Sequence, residues 1–272
     1  MVAASCRTFL CVDVTQSAPA YATLAGALAG FAGLAIILLL QRRGDRGHEA
    51  AGAGTGAVHG LENVLISFTT AFVASIVAAF LFSQLAREET PSSRVMVLGL
   101  LASLALTAAV LILFHGVVWM FRTWGLERAA LVTARITGLV LPPLIFLYMA
   151  ALGLDQLAFQ EGHRPTGTWL GVLLLVLLAA LVCVVVAVAK SPALRSRAGL
   201  LGTDRAVRAA AYLAVSIAAA AAIASGVVGE LGLGVSLHRE GVAALMVGLF
   251  AVLCLYAFLI QGAELAEEGR EP

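Results

Sequence analysis

The sequence predicts an all-α integral membrane protein: seven transmembrane helices in one bundle, with the N-terminus outside and the C-terminus cytoplasmic. Three observations predict it. Hydrophobic residues make up 61% of the chain and charged ones 12%, against roughly 45–50% and 25% in soluble domains, a surplus that a water-facing surface cannot hide. Seven apolar stretches, 18–40, 61–85, 95–121, 129–152, 168–189, 206–227 and 242–263, each approach or exceed the roughly 20 residues that a bilayer crossing needs. The connections between them are too short to fold by themselves, so the expected organisation is a tail (1–17), the transmembrane domain (18–263) and a second tail (264–272).

The net charge of +1 supplies no concentrated basic surface of the kind that phosphate backbones require, so nucleic acid is not an expected partner. The lipid bilayer is one, and a second copy of the chain or a cytoplasmic or membrane protein are the others. Arginine supplies every cation except Lys190, and alanine is abundant, a bias that reads as a GC-rich genome.

Residues 1–17 do not read as a signal peptide, because Asp13, Gln16 and Ser17 interrupt the apolar run. Cys6 and Cys11 lie in this tail and are candidates for a disulfide, whereas Cys183 and Cys254 fall inside apolar stretches and read as small buried hydrophobes. The first span carries a small-residue pattern: Gly26 and Gly30 form a GxxxG pair, and Ala25, Ala29 and Gly33 continue a second stripe. Such stripes let helix backbones approach closely. They are expected to pack inside the bundle, with homodimerisation as the alternative. This opening, together with Leu113-Phe-His-Gly-Val-Val-Trp119, resembles a group of uncharacterised actinobacterial multi-pass membrane proteins. That resemblance implies a seven-helix topology and brings no activity.

A loop over Gln41–Gly60 leads to the second span. There Asn63, Ser67, Thr70, Ala74 and Ala78 recur at helical spacing as one small, polar stripe, suited to packing or to lining a water-filled pore. The third and fourth spans form a hairpin around the polar turn Arg122–Arg128, and Pro142 and Pro143 should bend the second arm near its middle. Asp155–Gly167 reads as a loop, the fifth span as a peripheral helix of Leu, Val and Ala, and Lys190–Arg208 as the most basic connection. The sixth span is alanine-rich, and the Gly-rich loop Glu230–Gly241 leads to the seventh.

Assigning the cations to alternate sides decides the orientation. Arg42, Arg43, Arg46, Arg122, Arg128, Lys190, Arg195, Arg197, Arg205, Arg208 and Arg270 fall on one side, and Arg7, Arg87, Arg94, Arg164 and Arg239 on the other. By the positive-inside rule the first group is cytoplasmic.

His115 and Arg135 lie within apolar stretches on adjacent arms, nearly level. Leaving an arginine unpaired in the bilayer costs roughly 2.5–3.5 kcal/mol on insertion scales. A polar cluster of His115, Arg135, Glu62 and Glu264, with Asn63 and Gln261 toward the same face, is therefore expected, as a structural pair or as a gate. Snorkelling of Arg135 to the interface is the other outcome.

Known chemistries fit poorly. The last span has no lysine for a retinal Schiff base, one embedded histidine cannot supply a three-ligand zinc site, and facing histidine pairs for haem are lacking. No GxSxG, HExxH or Walker motif occurs. The expectation is no enzymatic activity, no cofactor and no metal. The leading reading is a structural or accessory component of the cytoplasmic membrane. The alternatives are a homo-oligomeric ion channel or pore gated around Arg135, and a sensor that signals to a cytoplasmic partner.

Overall fold

The computed structural model describes residues 14–47, 55–88, 92–161, 169–191, 203–231 and 238–268, and among them the chain is helical with no strand. Its elements are α1 (Val14–Gly47), α2 (Thr55–Leu85), α3 (Ser93–Thr123), α4 (Glu127–Arg135), a π-helical segment (Ile136–Val140), α5 (Leu141–Glu161), α6 (Trp169–Lys190), α7 (Thr203–Leu231) and α8 (Arg239–Glu268). The run α4–π–α5 is continuous, so among the described residues seven helices are long and apolar enough to cross a membrane. Most helices run past their apolar stretch. The loops expected at Gln41–Gly60 and Asp155–Gly167 are partly helix, to Gly47, from Thr55 and to Glu161, since a helix continues through polar residues as long as its backbone bonds do.

The α3–α4 connection is the tightest. Gly125 takes φ 73°, a left-handed conformation that glycine adopts without Cβ strain. Leu126 N–H then reaches back to Phe121 O at 2.9 Å and Gly125 N–H to Arg122 O at 2.9 Å, closing α3 with the paired bonds of a Schellman cap. At its other end α3 is capped by Ser92, whose side chain accepts from Val95 N–H at 3.2 Å. The prolines explain the π segment. Pro142 and Pro143 have no N–H to return to the carbonyls four residues back, and Leu141 N–H bonds Ile136 O, five back. The helix therefore shifts register beside the two prolines, a π insertion being itself a place where helices bend, and it continues into α5.

α3 is the centre. It packs against α2 most extensively, then α7, α4, α5 and α1, and 78% of its apolar window is buried, against 22% for α6 at the periphery. Alanines carry the closest approach: Ala102, Ala105 and Ala109 of α3 share one buried cluster with Ala74 and Ala78 of α2 and with Ala218 and Ala221 of α7. On the other side Phe146, Met149, Leu170, Leu181, Met246 and Leu253 join α5, α6 and α8 to Leu100 and Leu111 of α3.

Candidate functional site

At the end of the bundle where α3 turns into α4, hereafter the Trp124 end, a chain of polar groups is built on α3. Trp119 lies one helical turn beyond His115, so the two side chains share a face. Trp119 Nε1–H donates to His115 Nε2 at 3.0 Å, and the Arg122 guanidinium sits 5.2 Å above the Trp119 ring, within cation–π range. His115 is 1% exposed. Because Nε2 accepts from the indole, the neutral ring carries its proton on Nδ1, and Nδ1 has no hydrogen-bond partner among the described residues. One turn back, Leu111 O accepts from the hydroxyl of Tyr256 on α8. These contacts tie α3 to α8 and fix one tautomer. Neither imidazole nitrogen keeps a free lone pair for a metal or a proton.

The α2 stripe faces inward. Asn63, Ser67, Thr70, Ala74 and Ala78 are all buried. Gly116 lets α3 approach it, since a Cβ there would lie 3.2 Å from Ser67 Cβ. Elsewhere hydroxyls are absorbed by their own helix: Thr23 donates to Pro19 O, Ser83 to Ala79 O and Thr137 to Thr133 O at 2.7–2.9 Å. Ser67 and Ser75 are fully buried, and their hydroxyls make no such bond. In the opposite half Tyr148 of α5 hydrogen-bonds Ser103 of α3 and Tyr21 of α1. Both amide atoms of the fully buried Gln156 have no partner among the described residues.

The expected cluster of His115, Arg135 and Glu62 is not assembled. Glu62 pairs instead with Arg208 of α7 at 3.3 Å, both about half exposed. Arg135 is exposed at the end of α4, with no ion pair or hydrogen bond among the described residues. His115 is on the buried side of α3 and Arg135 on the exposed side of α4, a difference in rotation that the spacing along the chain does not set. Gln261 and Glu264 lie on α8 outside the residues whose side chains are described. Pro142 is buried and Pro143 half-buried at the start of α5.

The α1 glycines also need correcting. Ala25, Ala29 and Ala32 form the inward face, and a Cβ on Gly33 would meet the Phe72 ring at 3.4 Å. Gly26 and Gly30 are exposed, and a Cβ on either would meet nothing within 4 Å. Their face is turned away from the bundle.

Trp119 and Tyr256, which do most to hold the polar chain, were missing from the expected site. The i, i+4 spacing of His115 and Trp119 was readable, whereas nothing in the sequence pairs Tyr256 with Leu111 O. Cys183 and Cys254 are free thiols, and Cys183 is exposed on α6 where a buried position was expected. Cys6 and Cys11 lie outside the described residues. No group of three metal-ligating side chains occurs among the described residues. Comparison with protein-family models, curated proteins and solved structures gives no match, so geometry alone carries the functional reading.

Proposed function

We propose that this protein is a non-enzymatic accessory component of the cytoplasmic membrane, with its N-terminus outside, that works by docking another transmembrane helix. The observation that carries the reading is the outward face of α1. Gly26 and Gly30 stand one turn apart with open space around both, flanked by the exposed Leu24, Phe31 and Leu34. A GxxxG face gains by close backbone contact with a second helix and offers little side-chain surface to lipid. Two further features support a non-conducting role. The polar stripe of α2 is buried, with Ser67 against Gly116 of α3 and Ala74 and Ala78 in the alanine cluster with α3 and α7, and the outward faces of α2, α5 and α6 are lined by Ile76, Phe80, Leu144, Leu147, Val172 and Leu175, which offer no wet route between copies.

The test is co-purification from native membranes in mild detergent, comparing wild type with Gly30→Leu. A discrete partner, or a second copy, lost in Gly30→Leu while the variant elutes and melts like wild type is the expected result. Ion flux through wild-type proteoliposomes that Thr70→Leu abolishes would overturn this reading in favour of a pore.

A further inference from the structure

The geometry points to a phospholipid site on the outer side of α4, with Arg135 holding the lipid phosphate, Arg128 adding positive charge in the headgroup layer above it, and the acyl chain laid along the exposed Val132, Ile136, Val140 and Leu144. The two arginines are seven residues apart, two helical turns, so they lie within about 20° of one another around the axis. Both are exposed, and neither has an ion pair or hydrogen bond among the described residues. Glu127 is the adjacent carboxylate, and neighbours in sequence on a helix do not face each other. Below the arginines the exposed side of this helix is apolar, starting at Val132 one turn from Arg128: Val132 is 58% exposed, Ile136 49%, Val140 48% and Leu144 55%.

Depth makes the match specific. The span Glu127–Ala158 has 32 residues, about 48 Å at 1.5 Å per residue, whereas the hydrocarbon layer is about 30 Å thick. Centred, it projects about 9 Å beyond the hydrocarbon at each end. Arg128 then stands in the headgroup layer, and the Arg135 backbone, eight residues from Glu127, lies about 3 Å inside the hydrocarbon. Helical side chains lean toward the helix N-terminus, which here is the direction of the headgroups. Arg135 therefore keeps its stem in the apolar layer and its guanidinium at the phosphate, where it can bind bidentately. Trp124 and Leu126, 43% and 48% exposed at the same end, suit the interface that this placement gives them. A phospholipid has this vertical order of anion above alkyl chain, whereas a free phosphate has no use for the strip below it.

The experiment is native mass spectrometry of the full-length protein released from detergent, with phosphatidylglycerol as probe. Wild type should retain bound lipid. Arg128→Gln with Arg135→Gln should weaken retention about tenfold or more, the scale of losing charge-assisted bonds. Arg87→Gln, at the opposite end of the bundle, should bind as wild type does. Unchanged binding in the double variant overturns the site. So does an equal loss in Arg87→Gln, which would mean general charge attraction. Displacement of the lipid by inorganic phosphate at equal concentration would show a free-anion site and overturn the lipid assignment.

Discussion

His115 shows how a costly residue is accommodated inside an apolar bundle. Its Nε2 is satisfied by Trp119 within the same helix, so α3 carries its own polar pair and needs nothing from a neighbour for that bond. Trp119→Phe removes the donor, leaves the imidazole without this partner, and should lower stability by about 1–3 kcal/mol, read as an earlier aggregation onset on heating in detergent. Adding His115→Leu removes the other half of the pair and should recover part of that loss, because two apolar groups leave nothing unpaired. A double variant as unstable as the sum of its singles would show that the bond does not couple them. Glu62 gives the contrast. Its pair with Arg208 is about half exposed, so Glu62→Gln should cost under about 1 kcal/mol and matter less still in high salt. Both residues were visible in the sequence as ionisable groups within or at the boundary of an apolar stretch. Their partners were not, because hydropathy gives depth along a helix and says little about rotation around it.

At the scale of a helix that same ambiguity decided α1. Ala25, Ala29 and Ala32 and the pair Gly26 and Gly30 are equally periodic, and only packing shows which face is inside. The glycines therefore separate into two groups with opposite expected behaviour. Gly153→Ala places a Cβ 2.9 Å from Val242 Cγ1, where α5 meets α8, and should destabilise the fold as overpacking does, by about 1–3 kcal/mol. Gly30→Ala meets open space and removes a flexible residue from a helix interior, so it should be neutral or stabilising by up to about 1 kcal/mol. Melting temperatures of the two variants in one detergent check the pair, and a Gly30→Ala that melts as low as Gly153→Ala would place Gly30 in a contact. The seven apolar stretches were legible from composition and length. The π segment was not: the two prolines announce a disturbance in the helix, but the register shift that accompanies it depends on which carbonyl Leu141 N–H reaches.

For the whole molecule, the arrangement around α3 follows from chemistry that a hydropathy profile averages away. Its alanines allow α2 and α7 to close in on it, while α6, with equally apolar but larger and more exposed side chains such as Val172, Leu175 and Val176, is left to meet lipid. The two ends of the bundle also differ in charge. Arg122, Arg128, Arg205 and Arg208 stand at the Trp124 end, with Arg87, Arg94 and Arg239 at the other. If translocation obeys that excess, the Trp124 end is cytoplasmic, and the α4 arginines meet the inner leaflet, where anionic lipid makes the phosphate site most useful. This is checked by single cysteines in a chain whose Cys6, Cys11, Cys183 and Cys254 are replaced by serine or alanine. Glu88→Cys should react with a membrane-impermeant maleimide on intact cells. Trp124→Cys, exposed in a turn, should react only once the membrane is opened. The reverse pattern would put Arg128 and Arg135 in the outer leaflet, and the charge excess would then have to be explained by contacts made after insertion.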